Sequence, residues 1–233
     1  MNSASPLLYA HRGLHGISPT EVYAENTYEA FEHALRNEYD GIELDVHLTK
    51  DNEMIVIHDD TLNRTSHCNK TMKVKNMNMK DIRKFQLKNG KEKYPLLIDV
   101  LRLVKDYEKR VIIDVKTTKE RALRNILNIM KKIDILSEQI IVLWWGDNSY
   151  IKKYHKKINI YRAYDNSVIL EKTIKNIPKY YFSGICLTYT GKKPNLKTIE
   201  MANKYGLGVN LSTTIGRKKI CLHKFFQNYR FNC

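Results

Sequence analysis

Residues 41–47 read Gly-Ile-Glu-Leu-Asp-Val-His. In an extended strand Glu43, Asp45 and His47 share one face, and Ile42, Leu44 and Val46 share the other. Two carboxylates about 7 Å apart on a buried face repel each other and carry a desolvation cost that a divalent cation between them removes. Hard oxygen donors favour Mg2+, Ca2+ or Mn2+ over zinc. The same spacing also describes a solvent-facing strand carrying surface acids. A second apolar stretch, Val-Ile-Ile-Asp-Val-Lys at 111–116, has only two polar residues, Asp114 and Lys116, both on one face near its end. Asp114 is the candidate third metal ligand, with Lys116 beside it to hold an anion; a structural Asp/Lys ion pair is the other reading.

His11 and Arg12 end the first apolar run, and His58 and Asp59 end another. Two histidines on opposite sides of a phosphate, one acting as base and one as acid, suit in-line cleavage of a phosphodiester near neutral pH. Arg12 supplies a planar donor fork that pairs with phosphate oxygens, and Lys116 adds a point charge. No GxSxG elbow is present, and Ser18, Ser66 and Ser183 have no context suggesting a nucleophile.

These residues need a scaffold that brings strand ends together. Short β-branched runs at 7–10, 42–48, 54–58, 111–116, 140–145, 159–164, 184–189 and 207–211 alternate with helical periods at 26–37, 95–107, 119–133, 149–155, 168–176 and 196–205. Ala30, Phe31, Ala34 and Leu35 form the apolar stripe of the first helix, with Asn26 or Thr27 as its N-cap. Such alternation implies a parallel sheet with crossover helices. No GxGxxG or GxxxxGK[ST] loop follows the first strand, which favours a closed barrel over an open nucleotide-binding sheet. The five residues 49–53 are too few for a crossover, so 42–48 and 54–58 are expected to form a hairpin. The expected fold is therefore an α/β, somewhat distorted (β/α)8 barrel with a hairpin after the second strand. Functional groups of such barrels sit at the C-terminal strand ends, where all the residues above fall.

The chain resembles the glycerophosphodiester phosphodiesterase family of phospholipase-C-like barrel enzymes. The likeness runs through His11-Arg12-Gly13 with Leu14-His15, Glu25-Asn26-Thr27 with Phe31, Gly41-Ile-Glu43-Leu-Asp45-Val, Thr49-Lys-Asp51, and Ile57-His58-Asp59-Asp60 with Leu62 and Arg64. It continues through Pro95-Leu-Leu and Asp114-Val-Lys116. The resemblance implies metal-dependent hydrolysis of glycerophosphodiesters to glycerol phosphate and an alcohol. It implies Glu43 and Asp45 as metal ligands, His11 and His58 as the acid–base pair, and Arg12 and Lys116 near the phosphate. Glu25 matches a further acid of the site. In that family a glycerol hydroxyl is the implied attacking group, which accounts for the missing serine nucleophile. Departures are Asp114 where Glu is usual, Ala24 where Pro is usual, and the absence of a Trp-Thr-Val-Asn final strand. Related sphingomyelinase D-type barrels also carry Asp at the position of Asp114. Trp144 and Trp145 either line the pocket or pack outside it.

The chain has 233 residues, 40 Lys and Arg against 25 Asp and Glu, and a net charge of +15. Its 42% apolar and 28% charged residues exclude disordered, collagen-like and disulfide-dense classes. One barrel domain over 1–233 is expected, with 60–94 as a loop or small lobe and 215–233 as a basic tail. Four scattered cysteines give no zinc spacing and suggest free thiols in a reducing compartment. No bilayer-length apolar run or signal-peptide pattern is found, so the expected location is soluble and intracellular. Expected partners are a small glycerophosphodiester or a lysophospholipid, with peripheral contact to an anionic membrane allowed by the lysines. Two alternatives remain: lysophospholipase D- or sphingomyelinase D-like headgroup cleavage, and a degenerate barrel whose lysine-rich faces bind nucleic acid or membranes. No specific nucleic-acid motif is present.

Overall fold

The computed structural model describes residues 7–16, 23–68, 70–88, 92–165, 169, 171–190, 195–214 and 222–226. The strands are β1 (Leu7–His11), β2 (Gly41–Leu48), β3 (Met54–Val56), β4 (Arg110–Val115), β5 (Ile140–Trp144), β6 (Asn159–Tyr164), β7 (Gly184–Thr190), β8 (Gly208–Thr214) and β9 (Leu222–Phe226). The α-helices are α1 (Tyr28–Arg36), α2 (Met79–Ile82), α3 (Leu97–Asp106), α4 (Glu120–Ile133), α5 (Glu171–Asn176) and α6 (Leu196–Lys204). The helix expected at 149–155 is a 3-10 helix, Asn148–Lys153. The start of the helix expected over 168–176 lies partly outside the described residues, as do 215–221 and 227–233 of the expected basic tail.

Strand order β1-β9-β8-β7-β6-β5-β4-β2, with β2 returning to pair with β1, closes the sheet into a barrel. Seven wall strands run parallel, but β9 is antiparallel to both β1 and β8. Part of the expected tail thus fills the eighth wall position. The hairpin forms as the short connection requires, with β3 antiparallel to β2. β3 lies outside the wall: β1 pairs with β2 at 41–43, and β3 takes the same edge at 46–48.

Period-two alternation explains the layering. Ile42, Leu44, Val46, Val111, Ile113 and Val115 face outward and join the core formed with α1, α3 and α4. In α1, Ala30, Phe31, Ala34 and Leu35 are buried, and Thr27 rather than Asn26 is the N-cap, its Oγ1 accepting from the Ala30 amide. Inside the barrel a second cluster contains Tyr9, Ile112, Ile141, Leu143, Tyr161, Ala163 and Cys186. A third core, including Ile55, Ile57, Leu62, Val74, Ile82 and Tyr94, lies under β3 and residues 60–94, so this region is a packed small lobe.

The floor depends on two glycines. A Cβ at Gly184 or Gly208 would collide with the Tyr161 ring or hydroxyl. Gly208→Ala is expected to lower stability by about 1–3 kcal/mol through overpacking, measured by urea midpoint. Because the cost comes from one side chain, Gly208→Ala combined with Tyr161→Phe should cost less than the sum of the single changes. Strict additivity would contradict this origin.

Candidate active site

The site begins where β1 ends. Arg12 (φ 54°) and Gly13 (φ 79°) both adopt left-handed backbone, so the chain turns sharply after His11. Gly13 meets that need without strain, and a Cβ there would strike the Ala30 backbone in α1. The strain at Arg12, about 1–2 kcal/mol for a residue with a side chain, is held by its surroundings. Its amide donates to Glu43 Oε2 at 3.0 Å, and its carbonyl accepts from the Asn26 amide at 3.0 Å. The His-Arg-Gly triplet is therefore a turn that delivers a guanidinium into the barrel mouth.

That guanidinium lies between two acids. Arg12 Nη1 donates to Glu25 at 3.0 Å, and Nε lies 3.2 Å from Asp45 Oδ2, at ion-pair distance but outside hydrogen-bond alignment. Asp45 is the hub of the cluster. Its Oδ2 accepts from Asn26 Nδ2 at 2.9 Å, its amide donates to Asn26 Oδ1, and its Oδ1 lies 2.9 Å from Lys116 Nζ. Lys116 also donates to Asp114 Oδ2 at 2.6 Å, and Trp145 Nε1 donates to Asp114 Oδ1 at 2.7 Å. Register positions Asp45 opposite Asp114 on the neighbouring strands β2 and β4.

Glu43, Asp45 and Asp114 are 2%, 1% and 7% exposed, and one carboxylate oxygen from each lies within 4.8 Å of the others. The surface-acid alternative is thereby excluded. Burial and the charges of Asp45 and Asp114 push Glu43 well above the usual carboxylate range. Burial also raises Asp114, with Asp45 adding to it against the pull of Lys116. Burial acts the same way on Asp45, but Lys116 and Arg12 prevail and hold it at about 2. Lys116 is driven upward by the same pairings despite its burial.

The histidines occupy the rim. His11 Nε2 is 3.9 Å from Glu43 Oε2. His58 Nδ1 is 2.7 Å from Asp59 Oδ1, and Arg64 grips both Asp59 and Glu25, donating to the latter at 3.0 and 2.6 Å. Burial of Asp59 is outweighed by Arg64 and His58, which hold its carboxyl at about 2. A carboxylate only accepts, so Asp59 fixes the His58 tautomer with the proton on Nδ1 and leaves Nε2 as the basic nitrogen. His47, further along β2, has its Nε2 3.0 Å from the His58 carbonyl oxygen.

A divalent cation fits this arrangement. Five carboxylates (Glu25, Glu43, Asp45, Asp59 and Asp114) face three fixed cations (Arg12, Arg64 and Lys116), which leaves two negative charges over when all five are ionised, the state a bound cation favours. The three most buried acids supply only hard oxygen donors.

Sequence reasoning gave Asn26 and Arg64 no role in the site, set Asp59 at the mouth without a role, and left Trp145 between lining the pocket and packing outside it. Asn26 was legible only as a possible cap; its left-handed conformation (φ 59°) turns it toward Asp45 instead. Trp144 and Trp145 divide the two roles open to them. Trp144 is buried in the outer core, whereas Trp145 reaches Asp114.

The chain is similar to known proteins in sequence and in fold. A glycerophosphodiester phosphodiesterase of Bacillus altitudinis is 45% identical over 103 residues, covering 42% of this chain and 39% of that protein. The matched stretches span less than half the length of the first curated relatives. The fold is similar to that of a glycerophosphodiester phosphodiesterase from Thermotoga maritima, at TM-score 0.68 and 24% identity, covering 91% of this chain and 87% of the other. A phosphodiesterase from Oleispira antarctica, solved in complex with the product sn-glycerol-3-phosphate, matches at TM-score 0.72 and 16% identity, covering 89% and 84%. The glycerophosphoryl diester phosphodiesterase family model matches residues 11–180, most of the chain and every residue of the cluster around Asp45, and the chain belongs to that family.

Proposed function

We propose that this chain hydrolyses glycerophosphodiesters to glycerol phosphate and an alcohol, using a divalent cation and two histidines. The observation that carries this reading is the convergence of Glu43, Asp45 and Asp114 with Arg12 and Lys116 between them. Such a cluster gathers a cation and leaves two side-chain cations nearby for a phosphate. Glu43, Asp45 and Asp114 would hold Mg2+, Ca2+ or Mn2+, with Glu25 a further candidate ligand or substrate contact. When bound, the cation would polarise a phosphoryl oxygen and offset the negative charge of the diester.

The remaining work falls to side chains of this chain. Arg12 and Lys116 orient the diester and stabilise charge as it builds on the equatorial oxygens. One histidine takes the proton of the attacking hydroxyl, and the other delivers a proton to the leaving alcohol. His58 is prepared for either task by Asp59, itself anchored by Arg64. His11 is held beside Glu43 at the end of β1. With the attacking oxygen supplied by substrate or water, no protein nucleophile is required.

The test is product identification by phosphorus NMR. Purified protein supplied in turn with Mg2+, Ca2+ and Mn2+ should release glycerol phosphate from glycerophosphoglycerol or glycerophosphoethanolamine, or the acylated glycerol phosphate from a lysophospholipid. No turnover on the whole panel, or release of the phosphorylated alcohol instead, would overturn this reading. None of the described helices is long and apolar enough to cross a membrane.

A further inference from the structure

Lys116 faces more than the carboxylates: it also lines a cavity of about 330 Å3 at the C-terminal ends of β2 and β4. Lys50, Lys75, Lys119 and Arg121 line the same cavity, and Asp60 is its single acid. Lys50, Lys75 and Lys119 make no ion pair with a carboxylate of the described residues. Like charges gathered in a concavity repel each other, and a bound anion relieves that cost.

The walls are fixed by hydrogen bonds across three separate segments. The Lys50 amide donates to the Met77 carbonyl at 2.9 Å, and Asp51 accepts from the Met79 amide, tying the hairpin turn to the small lobe. Asn125 and Arg121 of α4 bond Asn52 from the other side. The lysines therefore project from anchored backbone.

We propose that this cavity receives the leaving alcohol of the substrate, and that the preferred alcohol carries a second phosphate group. This rests on the phosphodiesterase reading. The reacting phosphate belongs beside Lys116, so a diester entering this cavity extends past Lys116 among the other cations. The glycerol half is short and neutral and gives such a cluster nothing to select. A phosphorylated leaving group matches it, whereas a choline leaving group meets repulsion. Among the described residues Leu48 is the only aliphatic one lining the cavity, which gives little wall for an acyl chain and points to a soluble diester. A second cavity of about 270 Å3, which Lys116 lines together with Trp145 and Asp165, lacks this charge.

The experiment compares kcat/KM for bis(glycerophospho)glycerol, glycerophosphoglycerol and glycerophosphocholine, with anionic, neutral and cationic leaving groups. At about 20 mM salt the order should be anionic, neutral, cationic, with at least about tenfold between the first two; at about 500 mM salt it should largely vanish. Lys50→Ala/Lys75→Ala/Lys119→Ala should lose the preference and keep kcat/KM for glycerophosphoglycerol within about twofold. A wild-type protein without the preference, or a triple variant that retains it, overturns the proposal. Equilibrium binding of bis(glycerophospho)glycerol to chelator-treated protein is a readout independent of turnover. Affinity should fall about tenfold in the triple variant, and equal affinity overturns the inference. Absence of turnover on every diester counts against the phosphodiesterase reading, and the binding comparison still decides the fate of the cavity.

Discussion

Asp45→Asn is expected to reduce turnover by more than about 10^3-fold while leaving the barrel folded. Asp45 is the hub on which Asn26, Arg12 and Lys116 converge, and it is one of the three buried carboxylates that would hold the cation. The amide keeps the shape but removes the charge that holds both cations and would help bind the metal. Asp45→Ala goes further. It removes the acceptor of Asn26 while Lys116 keeps Asp114 and Arg12 keeps Glu25, so stability should also fall by about 1–3 kcal/mol, the usual cost of leaving a buried donor unsatisfied. Comparing kcat and the urea midpoint of the two variants separates the roles. Near wild-type turnover in Asp45→Asn would show that the cluster serves structure only.

His11→Ala and His58→Ala should each lower kcat by about 10^2- to 10^4-fold, the range of a single positioned acid or base. The two should differ in their dependence on neighbours. His58 is oriented by Asp59, and Asp59 by Arg64, so Asp59→Asn should weaken activity by a smaller factor through loss of the fixed tautomer. His11 stands beside Glu43 at the end of β1. Its substitution should be insensitive to Asp59→Asn, giving independent losses in the double variant. A single-variant loss below about tenfold would remove that histidine from the acid–base pair.

Much of this site was legible because strand alternation is local. The spacing of Glu43 and Asp45 and of Asp114 and Lys116 sets each pair on one face, and the barrel then points both faces inward. The hairpin followed from a connection too short to cross over. What was not legible depends on partners distant in sequence. The bond from Trp145 to Asp114 spans 31 residues, and that from Arg64 to Glu25 spans 39. Asn26 precedes a helix and reads as a cap, until its left-handed backbone aims it at β2. The basic C-terminal residues concealed β9, because pairing across the ends of the chain is set by barrel closure rather than by local pattern. The net charge of +15 first suggests a polyanionic partner. In the fold, the acids collect at the mouth and a group of lysines collects in one cavity beside it.

Glu43, Asp45 and Asp114 are expected to gather a divalent cation on which phosphodiester hydrolysis depends. Protein stripped with chelator and titrated with Mg2+, Ca2+ or Mn2+ tests it directly, by following calorimetric binding and turnover of glycerophosphoglycerol together. Binding of a cation by the wild-type chain, with activity rising in step, is the expected result, and Glu43→Gln should lose both. Full turnover in the metal-free protein, or cation binding unchanged in Glu43→Gln, would contradict it.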